Sequence, residues 1–241
     1  MIRDDLRAEP VRKLIIMGES NVAGGFNGEK TYDWAEVFAR LMQEFQSDDM
    51  EFLNKGISSN VISPDSPMYN CWEGHGSVPS AIERFREDVI NHNPDMVVYA
   101  YGLNDSRCGH PLKSFLGAYE SIIRDTREAL PDSLLVLVSS YWNLQYDAET
   151  WSGPEFENFY SDKANLGGDQ LVRSYNEGIR TLAAQYNGLF VNVYLLLEGA
   201  TWLLNKDYCH FNEIGSSIIG HAVLGEVASR CSFLSNKFPR H

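Results

Sequence analysis

Short apolar runs alternate along this chain with longer segments whose apolar residues recur at helical spacing, and no other feature restricts the fold as much. That alternation is the pattern of βαβ units, in which each parallel strand needs a helical crossover to reach the next. The predicted strands are Arg12–Met17, Glu51–Asn54, Met96–Tyr101, Leu134–Ser140 and Leu189–Val193. Between them, helices are expected over Tyr32–Gln46, Ser80–Asn91, Pro111–Leu130 and Asp169–Asn187, with a last helix over Glu213–Arg230. Trp34, Val37, Phe38, Leu41 and Phe45 fall on one face of the first helix. Pro79 suits an opening helical turn with Ser77 as its cap, and Asn93-Pro94 is a stop signal. Ile62–Ser77 is rich in Pro, Ser, Gly and Asn and reads as irregular, while Tyr194–Leu204 is apolar and ambiguous.

The pattern reads as one domain over residues 1–241, with five parallel strands and helices on both faces, and shows no internal repeat or linker. Right-handed crossovers bring every strand's C-terminal end to one edge. At that edge the first strand ends in Gly18-Glu19-Ser20-Asn21, the second leads to Gly56, and the third ends in Gly102-Leu103-Asn104-Asp105. Asp207-Tyr208-Cys209-His210 follows the fifth strand and can return to the same place. Open α/β sheets bind ligands at this edge.

Composition removes several classes of partner. A formal net charge of −13 on 241 residues argues against nucleic acid or an anionic membrane surface, both of which need a basic footprint. No apolar run approaches the roughly 18 residues of a membrane span. The charged start Met1-Ile2-Arg3-Asp4-Asp5 lacks a signal-peptide core, so a cytoplasmic location is expected. Cys71, Cys108, Cys209 and Cys231 show no metal-binding spacing and read as reduced thiols, with a Cys71–Cys108 disulfide as the alternative.

A serine nucleophile needs a base within hydrogen-bond reach, and the base needs an orienting partner. His210 is the candidate base for Ser20, and Asp207, three residues earlier, can hold the other imidazole nitrogen. The N–H groups of Ser20 and Gly56 and the side-chain amide of Asn104 are candidate oxyanion donors. Taken singly, each piece has a plainer reading: a turn at Gly-Glu-Ser, a turn or cap at Gly-Leu-Asn-Asp, and helix capping by Asn212 and Glu213. His110 reads as a loop residue, His221 as a helix-face residue, and His75 lies in an irregular stretch. What sets the four pieces apart is that they occur in order, each beyond a predicted strand.

These four blocks resemble those of the SGNH (GDSL-like) hydrolases, whose Ser, Gly, Asn and His fall here on Ser20, Gly56, Asn104 and His210, with Asp207 as the orienting aspartate. The resemblance runs from residue 14 to about residue 220. It implies a three-layer α/β/α sandwich of the flavodoxin-like kind, and hydrolysis of a carboxylic ester through an acyl-serine, with no metal or organic cofactor. One position departs from the pattern, because Glu19 stands where the first block usually has aspartate.

The expected substrate is a small-molecule or carbohydrate ester, with short O-acyl (acetyl) groups foremost. The aromatic stretch 142–160, including Trp142, Tyr146 and Trp151, is the candidate substrate surface, since rings interleaved with Asn143, Gln145, Asp147 and Asn158 suit a polyhydroxylated ligand. It suits an acyl chain or a structural cover as well. Arg107, Lys113 and Arg173 read as solvated surface charges. Other functions stay open: a lipase- or thioesterase-like acylhydrolase, an acyltransferase on the same triad, a phosphate- or flavin-binding module using Gly18–Gly25, and a non-catalytic carbohydrate-binding protein.

Overall fold

The computed structural model of the chain describes residues 5–24, 33–46, 49–69, 78–142, 168–207 and 209–235. Five strands form one parallel sheet: β1 (Lys13–Gly18), β2 (Glu51–Gly56), β3 (Met96–Ala100), β4 (Leu134–Val138) and β5 (Leu189–Val191), in the order β2-β1-β3-β4-β5. The order reverses between β1 and β3, whose register pairs Gly18 with Ala100. A crevice opens at such a reversal, beyond the carboxyl ends of the two strands.

β1, β3 and β4 are apolar on both sides because helices cover both sides, while β2, at the sheet edge, is partly exposed. Alternate residues feed two separate cores. Leu14, Ile16, Val98, Val136 and Val138 face α2 (Trp34–Gln46) and α8 (Glu213–Arg230), meeting Trp34, Phe38, Ile219 and Val223. Ile15, Met17, Val97, Tyr99 and Leu137 face α3 (Ala81–Asp88), α5 (Leu112–Ala129) and α6 (Gly168–Gln185), meeting Phe85, Phe115, Tyr119 and Tyr175. Phe115 and Tyr175 stack with ring centroids 3.9 Å apart, locking α5 to α6. Each large side chain buried in this way contributes roughly 2 kcal/mol.

Local signals explain the boundaries. The cap of α3 is Ser80, not Ser77: the Glu83 carboxylate accepts the Ser80 N–H at 2.8 Å and its hydroxyl at 2.6 Å. The serine-to-glutamate spacing of a capping box carried that information. Asn212 does cap α8, its Oδ1 accepting the N–H groups of Ile214 and Gly215 at 3.0 Å each. Two short helices stand where turns were expected, α1 (Ser20–Ala23) after β1 and α4 (Leu103–Arg107) after β3. The ambiguous segment after β5 holds α7 (Tyr194–Leu197) and a 3-10 turn over Thr201–Leu203. Gly102 opens α4 at φ 122°, a conformation only glycine adopts without strain.

No described helix is long and apolar enough to cross a membrane. Cys108 is a free thiol whose S–H reaches the Asp105 carbonyl at 3.2 Å; Cys71, its partner in the alternative disulfide reading, lies outside the described residues.

Candidate active site

The first strand delivers Ser20 as the opening residue of α1, directly after Gly18 and Glu19. After β5 comes a hairpin that packs into the same core as α1. Leu204 bridges to Phe211 in antiparallel fashion, Asn212 N–H bonds to Leu203 O at 3.0 Å, and Asn205 N–H bonds to His210 O at 2.7 Å. Asp207 and His210 therefore lie in a loop whose stem is anchored in the core. The Phe211 N–H also reaches Asn21 Oδ1 at 3.3 Å, which ties the hairpin to α1.

The result is a continuous chain of three groups. His210 Nε2 lies 2.8 Å from Ser20 Oγ, and His210 Nδ1 lies 2.5 Å from Asp207 Oδ2. A carboxylate only accepts, so Nδ1 carries the proton and Nε2 is left to accept from the serine hydroxyl. The other Asp207 oxygen accepts the N–H groups of Cys209 and His210, each at 3.0 Å. Burial pushes the Asp207 carboxyl upward, but the hydrogen bond and charge of His210 and the two backbone donors outweigh it and leave the group below its ordinary range.

Glu19 has a defined task. Its carboxylate is fully buried and accepts three backbone N–H groups, from Gly102 at 2.6 Å, Leu103 at 3.0 Å and Asn104 at 3.2 Å. It thereby joins the turn that bears Ser20 to the start of α4. Burial and the neighbouring Asp105 push its pKa up to about 8, against the three donors that favour the charged form. Asp105 is fully buried too, holding His110 Nδ1 at 2.8 Å and the Ile62 N–H at 3.1 Å. His110, read from sequence as a loop residue, is thus part of the interior.

Asn104 lies in the same neighbourhood, with Nδ2 donating to the Asn60 carbonyl at 3.0 Å. An amide nitrogen carries two hydrogens, so one remains for a ligand. Gly56 departs from its expected role as a donor. Its N–H is given to Asn54 Oδ1 at 2.9 Å, on the side of β2 opposite to the Ile57 N–H that bonds Gly18 O. Gly56 is glycine because a Cβ there would stand 2.3 Å from Ala23 N and 2.6 Å from Val22 C. Its task is to let α1 lie against β2. Beyond it, Ile57–Asn60 closes a turn through Asn60 N–H to Ile57 O at 3.2 Å, with Ser59 at φ 60°. That is the third position of a type II turn, usually glycine.

Trp142 packs, partly buried, against the core on the α2 side. Tyr146 and Trp151 lie outside the described residues. Lys113 is exposed, and Arg173 pairs with Asp169 and Glu198. Arg107 is not a surface charge: it is buried, with Nη1 3.5 Å from Cys209 Sγ beside the hairpin that bears His210. The spacing gave no sign of this, since α4 was not expected. A cleft of about 590 Å³ lies at the opposite edge of the sheet, lined by Arg7, Asp95, Arg127 and Asp132. Its guanidinium groups are spent on backbone carbonyls and the Asp95 carboxylate, which makes it a structural seam.

Comparison with known proteins assigns the family. Residues 16–218 match the model of the GDSL-like Lipase/Acylhydrolase family. Among solved structures, the chain is similar to the lipase/acylhydrolase from Enterococcus faecalis, with 17% identity and a TM-score of 0.65 over 91% of this chain and 96% of that one. It is also similar to an acetylxylan esterase from Geobacillus stearothermophilus, with 19% identity and a TM-score of 0.64 over 92% and 96% of the two chains. No curated protein matches it.

Proposed function

The chain belongs to the GDSL-like lipase/acylhydrolase family and is an ester hydrolase, and from that premise we propose that it works through an acyl-enzyme on Ser20. The observation that carries the proposal is the unbroken run from Ser20 Oγ through His210 to Asp207, at 2.8 and 2.5 Å. His210 Nε2 takes the hydroxyl proton as Ser20 Oγ attacks the acyl carbon. Asp207 keeps the imidazole in the required tautomer and stabilises the imidazolium. As the tetrahedral intermediate collapses, His210 returns the proton to the departing alcohol. Water then repeats the sequence, releasing the acid and restoring the serine.

The oxyanion needs donors fixed before the reaction. We assign these to the Ser20 N–H, the second hydrogen of Asn104 Nδ2, and a backbone N–H of the 57–60 turn at Ser59. The Gly56 N–H is engaged elsewhere, and a residue held at positive φ displays its amide away from the turn's own bond. Non-glycine residues in such conformations cluster at functional sites.

The proposed substrate is a short-chain acyl ester, foremost acetyl, carried on a carbohydrate. Support comes from the aromatic and amide-rich stretch 142–160 and from the similarity to an acetylxylan esterase. Trp202 adds to it: its indole is 63% exposed and stands next to the stem of the hairpin that bears His210. The test is a series of p-nitrophenyl esters of increasing chain length run beside acetylated xylo-oligosaccharides. Activity confined to acetyl donors, with release of acetate from the oligosaccharides, is expected. A preference for long acyl chains would overturn the substrate assignment while leaving the reaction class intact.

A further inference from the structure

We propose that Asn60 is the positioning residue of the oxyanion pocket and that the buried guanidinium of Arg84 holds it there. The inference rests on the reading of Ser20 as nucleophile and of Asn104 as oxyanion donor.

Asn60 is almost wholly buried and every one of its polar groups is engaged. Its carbonyl accepts Asn104 Nδ2 at 3.0 Å, and its N–H closes the turn onto Ile57 O at 3.2 Å. Its side-chain Nδ2 donates to Pro79 O at 2.9 Å. Its Oδ1 receives three donors: Arg84 Nε at 3.2 Å, Arg84 Nη2 at 3.0 Å and the Tyr101 hydroxyl at 2.8 Å. At 1% exposure Asn60 is out of reach of a substrate, so it acts only through what it holds. What it holds is the plane of the Asn104 amide: with one Nδ2 hydrogen fixed on the Asn60 carbonyl, the direction of the other is determined.

Arg84 is equally committed. Nη2 lies 2.7 Å from the Tyr101 hydroxyl and 3.0 Å from Lys55 O, and reaches toward Gly18 O at 3.4 Å. Nη1 pairs with Asp88 at 2.6 Å, and Asp88 also holds Lys55 Nζ at 3.1 Å. The charge is thus neutralised within the fold and is not offered to a ligand. One planar group ties the ends of β1 and β2 to the turn between β2 and α3. A lysine cannot reproduce that fork.

The test is a double-mutant cycle on hydrolysis of p-nitrophenyl acetate, with rates expressed per active site titrated by a fluorophosphonate. Asn104→Ala is expected to lower kcat about 100-fold, the usual effect of losing one oxyanion donor. Asn60→Ala is expected to lower kcat about 10- to 100-fold with KM changed less than about 3-fold, because the effect is confined to the transition state. Combined with Asn104→Ala, it is expected to cost no more than about a further 3-fold, since the two residues act as one unit. Arg84→Lys should behave as Asn60→Ala does. If Asn60→Ala and Arg84→Lys do not fold, Tyr101→Phe, which removes one donor to Asn60 Oδ1, should give a smaller loss in kcat that again vanishes in the Asn104→Ala background. A role in stability alone would reduce the titrated sites and leave kcat per site unchanged, and that result overturns the proposal. So do losses that multiply in full. If Ser20→Ala matches the wild type, the reading of the site itself fails, and the relay falls with it.

Discussion

The carboxyl of Glu19 accepts the main-chain N–H of Asn104 at 3.2 Å, so the residue before the proposed nucleophile grips the residue proposed to carry the side-chain oxyanion donor. Two loops that leave different strands are fixed to each other by one buried acid. The same carboxylate takes Gly102 and Leu103, and the longer glutamate arm reaches all three. The position where this chain departs from the usual first block is therefore part of the site's scaffold.

A consequence for stability follows from the acidity of Glu19. Its carboxyl normally releases its proton near 4.5 and here does so near 8. Between those values the folded chain keeps a proton that the unfolded chain has lost, and stability must fall as pH rises. The melting temperature of the wild type should decline from pH 5 to pH 8, with Asp33, raised by burial to about 6, adding to the decline. Glu19→Gln should decline less over the same range. Equal declines in the two proteins would remove Glu19 as the source.

Gly56→Ala tests the close approach of α1 to β2. The new methyl would meet backbone atoms of Val22 and Ala23, which cannot move aside as a side chain end can. We expect a loss of about 1–3 kcal/mol in chemical denaturation, the range for overpacking, and a fall in kcat as Ser20 is displaced. Unchanged stability would show that α1 shifts freely.

The sheet and its order of elements were legible because apolar runs of strand length alternate with helical periodicity, a signal that survives without knowledge of partners. The meeting of Ser20, His210 and Asp207 was legible because Ser20 directly follows β1 and the Asp-x-x-His spacing lets one short loop pair the other two. Gly56 was misjudged because the second strand was ended at Asn54. It runs to Gly56, so that residue's N–H points off the sheet edge to Asn54 and not into the crevice. Arg107, His110, Asn60 and Arg84 gave no signal: long-range burial decides their roles, and polar residues in irregular or helical segments look alike whether they are solvated or interior. Helix α4, five residues long, is too short for periodicity to reveal.

Asp207→Asn should leave the fold intact and reduce kcat on the order of 10³-fold or more, since the amide can hold the wrong imidazole tautomer. The loss should persist across the whole pH range of the wild type, because it is one of orientation. Steady-state rates from pH 5 to pH 9 measure this. Recovery of the wild-type rate at high pH would instead assign Asp207 a purely electrostatic role.

The central claim is that Ser20 is acylated during turnover. Rapid-quench mass spectrometry of the intact protein with p-nitrophenyl acetate tests it most directly, with the adduct located by peptide mapping. The account predicts one acetyl group on Ser20 in the wild type, and neither adduct nor turnover in Ser20→Ala. An adduct on another residue, or a Ser20→Ala protein that still turns over the ester near the wild-type rate, would contradict it.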